Sequence, residues 1–505
     1  MITLLCKAVL QLVYRLWLHP LAKYPGPLLA RITNLYGAYH AWRGDIHRDI
    51  LRCHLKYGNR VRYAPNRVLM NTPAGLRDIY GHGSHVRKYA GYQVLSSQAA
   101  NTLTMSDKVQ HAQRRRILSQ AFSENSLRKL EPMIQLRIER FCNILSSKTR
   151  DSESLGDWSD PVDMASSFTN LAFDLMTAVS FGEEYRTMEE PQFRYVAEAI
   201  EKSNVRLGVL MQAPELTLGG LDRKLFPAAT KASARFVKFL RKLLQKRLQQ
   251  ELSSDSVDIF SFLQRCKDPD TAEGLSSMEI STETATFIVA GSDTTSTTMA
   301  ALAHYLAWSP RCYKCAVEEV RTAFSSADEI AFGPKLNSCH FLRACLDEAL
   351  RVTPPGGGPL WRVVEPGGAT IDGEYVPAGC EVGAGIYAMH RSPRNWSSAA
   401  TYMPERWLEK KGKDESGNTV KRDTRQPYFP FNIGPRSCVG KPLALAQVML
   451  TFAHLLWKFD LRRADATEDW SESDADDTPP PEYMLQDHVT GQKGGGPVLK
   501  LRARV

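Results

Sequence analysis

The sequence predicts a mainly α-helical fold with small β-sheets, and three observations lead there. Apolar residues recur with the helical period over six long stretches, 106–122, 126–146, 231–252, 280–307, 312–324 and 339–352. Strand-like runs are short and bounded by Gly and Pro, at 61–65, 67–71, 369–371, 374–376 and 498–501. Hydrophobic residues make up 43% and charged residues 24% of the 505, enough for a large core and incompatible with global disorder. That length admits two or three domains or one large helical fold, and no repeat divides it.

Taken in order, residues 1–18 (MITLLCKAVLQLVYRLWL) are apolar enough to meet a membrane. As a helix they span about 27 Å at ~1.5 Å per residue, against a hydrocarbon core of roughly 30 Å. Lys7, Gln11 and Arg15 recur every fourth residue, which gathers the polar groups on one face and favours a helix lying in the interface. The alternative is a truncated start whose apolar face packs on the protein. No small-residue cleavage site follows a clean apolar run, so a removable signal peptide is the weaker reading. Residues 19–30 (HPLAKYPGPLLA) carry Pro20, Pro25, Gly26 and Pro27, where a helix cannot continue, and read as a stiff hinge. The rest, 31–505, is expected to be one large folded body.

Within that body, 253–258, 410–425 and 465–477 read as solvated loops, the last with seven carboxylates. Lys231, Arg235, Lys238, Lys242 and Lys246 fall on one helical face, a wet face in the simplest reading. The net charge of +9 permits docking to an acidic protein or anionic lipid. The basic residues are dispersed and no nucleic-acid motif accompanies them, so no nucleic-acid partner is expected. Ten cysteines without a dense framework point to reduced thiols, and Cys312-x-x-Cys315 lacks a second ligand pair at zinc spacing.

Chemistry concentrates in F-N-I-G-P-R-S-C-V-G, Phe431 to Gly440, which runs into the apolar helical stretch KPLALAQVMLTFAHLLW. A cysteine that binds a metal as thiolate must be shielded from water, with backbone amides aimed at its sulfur. Gly434 and Gly440 suit a backbone passing close to a flat ligand. A second signal is A-G-S-D-T-T, Ala290 to Thr295, where small residues, an acid and alcohols sit mid-helix, a poor composition for helix stability alone. Taken by itself it could equally be a Ser/Thr-rich helix bonding its own backbone. A third is Glu348-x-x-Arg351, weak alone because Glu183/Arg186 and Glu318/Arg321 share the spacing. It is followed by a proline stop, a strand region and P-E-R-W at Pro404 to Trp407.

Together, and in this order along the chain, these motifs resemble the cytochrome P450 superfamily of haem-thiolate monooxygenases. The resemblance covers the chain from about residue 20 to the end and implies the single large haem-binding domain of the P450 fold, with haem b (iron protoporphyrin IX) as cofactor. It implies Cys438 as the iron ligand, Arg436 at a haem propionate, and Phe431 packed near the sulfur. Ala290 and Gly291 would leave room for dioxygen, and Asp293 and Thr294 would relay protons. His111 and Arg115 in HAQRRR and Arg362 in GPLWRVV would be further propionate ligands, with Arg114 and Arg116 facing solvent or the redox partner. Glu348, Arg351 and Arg406 would form a buried charge network bracing the core. Pocket walls would come from 92–102, 205–218, Phe287 and 355–360, whose apolar residues could line a site for an apolar guest or be ordinary core.

The chain departs from the family pattern in HRSPRNWSSAATYMPERW, where relatives carry a proline-aspartate-rich loop, and at Gln447, where many have glutamate. The implied activity is hydroxylation or epoxidation of a lipophilic small molecule. VYRLWLHPLAKYPGP and NTLTMSDK resemble filamentous-fungal members of secondary metabolism, which makes terpenoid, polyketide or alkaloid substrates plausible. With no flavin or nicotinamide module in the chain, electrons would come from an NADPH-dependent diflavin reductase, and the expected location is the endoplasmic reticulum membrane with the catalytic domain facing the cytosol. Two alternatives stay open: an oxidase catalysing phenol coupling or desaturation without oxygen insertion, and a non-catalytic haem-binding protein, for which a proton relay would have no use.

Overall fold

Ser276 accepts from the backbone N–H of Glu279 while the Glu279 carboxylate accepts from Ser276, a reciprocal cap that starts the longest helix of the protein. That central helix, Ser277–Ala307, runs 31 residues with most of its second half fully buried. In the computed structural model, which describes residues 2–96, 100–150, 158–250, 257–408, 427–466 and 480–504, the other long helices pack around it.

Five more of the helices expected from periodicity are present as Lys108–Ala121, Glu124–Arg150, Pro227–Gln249, Pro310–Ala323 and His340–Val352. The apolar stretch after the cysteine forms Lys441–Lys458. Periodicity does not single out Met164–Phe181, because that helix is buried on nearly every side and shows little amphipathic contrast. The roof helix Tyr195–Gln212 was likewise not among the periodic stretches. The basic stripe is exposed along Pro227–Gln249. Expected loop 253–258 is described only at its end, where Asp258 is buried instead of solvated: it caps Ile259–Arg265 and pairs with Arg247 at 3.2 Å. Loop 410–425 and nearly all of 465–477 lie outside the described residues.

The strands form small sheets. The largest has five, in the order Arg60–Ala64, Arg67–Met70, Glu381–Gly383, Arg362–Val364, Val86–Lys88, parallel only between the second and third. Ala369–Ile371 and Glu374–Val376 make the expected hairpin, and Val498–Ala503 pairs with Phe459–Arg463. The three-residue strands at 86–88, 362–364 and 381–383 escape a sequence reading because each exists only through partners far away in the chain. A C-terminal hairpin, Leu485–Asp487 with Gly491–Lys493, lies against the central helix, where Thr297 Oγ donates to Gly491 O at 3.0 Å.

The N-terminal segment is a helix, Ile2–Val13, continued by a wider π turn, Tyr14–Leu18. Its end is pinned to the body: Arg15 donates to Ile32 O, Arg31 to Leu16 O at 2.9 Å, and buried Arg62 to Arg15 O at 2.7 Å. Among the described residues no helix is long and apolar enough to cross a membrane.

Candidate active site

A cavity of about 410 Å³ opens between the central helix and the cysteine loop. On one side stand Ala290, Gly291, Thr294, Thr295 and Thr298; on the other, Phe431, Arg436 to Gly440 and the first turns of Lys441–Lys458. Of the expected walls, Thr102, Gly208, Met211, Gln212, Phe287 and most of 355–360 line it, and residues 97–99 lie outside the described residues. Sequence reasoning missed Ala41, Ile46, Asp487, Val489 and Thr490, which reach the cavity from the two ends of the chain. No local motif marks them.

Cys438 opens onto this cavity and not onto bulk solvent, since its side chain is accessible yet enclosed by protein. Enclosure pushes the thiol pKa up, while the N–H groups of Gly440 and Lys441 and the charge of Arg115 pull it down. The loop closes on itself through Cys438 N–H donating to Phe431 O at 2.8 Å. Gly440 sits with its absent Cβ 3.9 Å from Sγ, ordinary contact. Gly434 does not line the cavity as the flat-ligand argument expected. It has φ +69°, and a Cβ there would lie 2.0 Å from Tyr80 O, so its need for glycine comes from the close approach of the loop to the end of helix Pro73–Tyr80.

Above the cysteine loop lies a cluster of cations. Arg115 donates to Ser437 O, Arg436 to Met105 O at 2.7 Å, and Arg362 to Trp361 O at 3.0 Å. Lys88 is buried and stands over the Tyr92 ring at 4.6 Å. The partners of these four basic groups are carbonyls and rings, His111 stands beside them, and among the described residues no carboxylate forms an ion pair with any of the five. Burial, then Arg362 and Arg436, holds Lys88 well below the usual amine range. Burial, then Arg436 and Lys88, takes His111 down to about 3, and burial with Arg362 takes Arg436 to about 10. Lys88 was not foreseen, for a lone lysine in V-R-K-Y carries no signal. Arg362 does not line the cavity and is buried against Tyr80, its guanidinium 5.1 Å from the ring.

Arg114 does not face solvent as expected; it is buried and pairs with Glu279 and with Glu283 at 3.4 Å on the central helix. Arg116, more open, pairs with Asp268 at 2.9 Å.

On the central helix, Ala290 and Thr294 face the cavity, with Thr294 Oγ donating to Ala290 O at 2.6 Å. Gly291 also lines it, but a Cβ would collide with Met176 at 2.6 Å, so the glycine lets Met164–Phe181 pack close. Asp293 is turned away: its carboxylate accepts from Thr490 Oγ and from Asn204 Nδ2 at 3.4 Å, and lies 4.0 Å from Lys493 Nζ. Burial raises its pKa.

Behind the site, Glu348 is fully buried and accepts from Arg351 Nε and Nη2, Arg406 Nε, Met403 N–H and Trp407 Nε1, all within 2.9 Å. Arg351 spends its other donors on the carbonyls of His390, Ala399 and Thr401. The two competing spacings make no such pair: Arg321 binds Asp460 and Glu183 binds Lys246.

A family model for cytochrome P450 matches residues 24–486. The chain belongs to the cytochrome P450 family. It is similar to the cytochrome P450 monooxygenase poxM of Penicillium oxalicum, 46% identical over 490 residues that cover 97% of this chain and 91% of that protein. It is similar also to the cytochrome P450 monooxygenase atnE of Emericella nidulans, 42% identical over 498 residues, 97% and 94% of the two chains. The cytochrome P450 monooxygenase lcsN of Purpureocillium lilacinum is 56% identical over 345 residues, 68% of this chain and 99% of its own.

The chain is thus a P450 monooxygenase, an enzyme that takes electrons from a redox partner and acts on a small molecule. Membership implies a haem-thiolate cofactor, and the residues present fit it. Cys438 offers sulfur at the cavity floor with two amides aimed at it, and the carboxylate-free cation cluster demands an anion of the kind two propionates supply.

Proposed function

We propose that this P450 is a haem b monooxygenase that hydroxylates or epoxidises a lipophilic small molecule in secondary metabolite biosynthesis. One observation carries the reading: a single cavity joins the Cys438 sulfur to a wall of Leu103, Phe122, Met211, Phe287 and Leu350 beneath the Ala290–Thr294 turn. Haem bound there would activate dioxygen with electrons from the partner, its iron held by the sulfur. Cys438 would hold the iron through its sulfur, with the Gly440 and Lys441 amides favouring the thiolate. Arg115, Arg436, His111 and Lys88, which line the cavity, would hold the propionates, with Arg362 set back against Tyr80. Ala290 and Gly291 keep the central-helix wall of the cavity thin, Thr294 Oγ would hold a proton at that wall, and the apolar walls would bind the substrate and exclude water.

Electrons come from an NADPH-dependent diflavin reductase, docking near Lys441, which is exposed one turn from the cysteine. Residues 1–18 form a membrane-associating helix, 19–30 a hinge and 31–505 the catalytic body. Exposed Leu5, Val9, Leu10, Trp17 and Leu18 support this, as do Leu28, Leu29 and Leu35 beside Leu218 and Leu221, the two segments tied by Asn34 Nδ2 donating to Glu215 Oε1 at 3.1 Å. A patch of this kind fits a membrane surface, and the location proposed is the endoplasmic reticulum facing the cytosol. The N-terminal resemblance to filamentous-fungal members of secondary metabolism supports terpenoid, polyketide or alkaloid substrates.

The test is the carbon-monoxide difference spectrum of the reduced protein beside Cys438→Ser. A Soret band displaced far to the red in wild type and lost in the variant is expected. A band at the position of histidine-ligated haem, or no haem, overturns the reading.

A further inference from the structure

Asp293 and Thr294 are neighbours on one helix and so project about 100° apart. The consequence is visible in their partners. Thr294 lines the cavity and bonds back to Ala290 O, whereas the Asp293 carboxylate is buried on the side of the roof helix and the C-terminal hairpin. The side chain that both bonds Asp293 and lines the cavity is Thr490, at the turn of that hairpin. Its Oγ also accepts from Asn204 Nδ2 at 3.0 Å. Lys493, on the same hairpin, stands 4.0 Å from Asp293 Oδ1 and 3.9 Å from Glu201 Oε1, and donates to Ser296 Oγ at 3.0 Å. Glu201 is about one-third open to solvent (35%), so the chain of groups leads from the surface to the cavity.

Resting on the monooxygenase reading above, we propose that Thr490 is the relay through which Asp293 delivers protons to the cavity, in parallel with Thr294. In the resting arrangement Thr490 O–H donates to the Asp293 carboxylate. Once Asp293 holds a proton the bond reverses: Thr490 Oγ, already fixed by Asn204, accepts from Asp293 Oδ2 and turns its own hydrogen into the cavity. Only O–H bonds form and break. Thr490 gives its proton to the reacting oxygen or a water beside it, regains one from Asp293, and Asp293 is recharged from outside water past Glu201, with Lys493 balancing the carboxylate between turnovers. Burial, which raises the Asp293 pKa, favours the protonated half of this cycle. The hairpin that closes the cavity thereby also completes the proton path.

The experiment uses the haem-loaded enzyme with a diflavin reductase, NADPH and dioxygen, and dodecanoic acid as probe lipophile. It reads peroxide released per NADPH and the effect of D2O on NADPH consumption. Thr490→Val keeps the red-shifted carbon-monoxide band but raises the peroxide fraction by at least about three-fold, less than the ~10²-fold for outright loss of an acid because Thr294 remains. Thr490→Ser restores the wild-type ratio. Asp293→Asn still accepts from Thr490 but has no acidic proton to transfer, so it reproduces the Thr490→Val defect and the double variant is no worse than either single. Thr490→Ala is made alongside so that the result does not hinge on how valine packs. Wild-type peroxide yield and isotope effect in Thr490→Val or Thr490→Ala, or defects that multiply in the double variant, overturn the proposal. Loss of the carbon-monoxide band in wild type would instead overturn the haem-thiolate reading.

Discussion

Glu348 accepts five hydrogen bonds in a place without solvent, two from Arg351 one turn on and three from the 403–407 segment. Replacing Arg351 with Leu leaves that carboxylate buried and short of two charged donors, and a loss of roughly 3 to 5 kcal/mol is expected, read by urea unfolding. His390, beside this network, accepts from the Phe429 N–H at 3.0 Å through Nε2 and must be neutral to do so. Burial, then the charge of Arg351, takes it from 6.5 to about 3. Between those values the unfolded chain binds a proton that the folded one refuses, so its contribution is neutral above pH 6.5 and destabilises as pH falls. His390→Gln, which keeps an acceptor, should flatten the unfolding free energy by about 1.4 kcal/mol per pH unit below 6.5. At this scale local motifs marked Cys438 and Arg436, which the structure places at the cavity, and Glu348, which it places in a charge network. The sequence was silent on Lys88, Thr490 and Lys493, whose partners lie far away in the chain, and misleading for Arg114.

At the scale of elements, the central helix owes its start to the Ser276 cap, and Ser276→Ala should cost about 1 kcal/mol by thermal or urea unfolding. The same Glu279 that completes the cap binds Arg114, so the effect carries into the Lys108–Ala121 helix. The cysteine loop is less tolerant. Gly434→Ala combines a positive φ with a Cβ forced against Tyr80 O, and the expected outcome is loss of most haem incorporation in the expressed protein, read by the absorbance ratio of Soret band to protein. Long amphipathic helices were legible because one polar face survives in the sequence. Met164–Phe181 was not, because burial all round erases the period, and the three-residue strands were not, because their pairing is decided elsewhere.

For the whole molecule, the two ends of the chain converge on the site: Ala41 and Ile46 from one, Asp487 to Thr490 from the other. The pinned N-terminal helix adds its apolar side chains to those of Leu28, Leu29 and the 214–225 segment. Deleting residues 2–18 removes only part of that surface, so binding to phospholipid vesicles in a flotation assay should weaken without vanishing, and the further change of Leu218 and Leu221 to Ser should release the protein. Retention of full binding by the deletion would show that the helix does not touch lipid.

What the sequence determined by itself was whatever depends on neighbours in the chain: helical faces, the cysteine loop, the acid–alcohol turn and the E-x-x-R pair. Tertiary structure decided which way each of those residues points. It turned Asp293 from the cavity toward Thr490 and Lys493, gathered Lys88, Arg115, Arg362 and Arg436 beside His111 without an ion-paired carboxylate, and chose Glu348 over two equal spacings. The physical reason is that hydrogen bonding and burial act through space, and the partners that settle the charge of a buried group lie far away in the chain, as Arg436 does from Lys88 and His111.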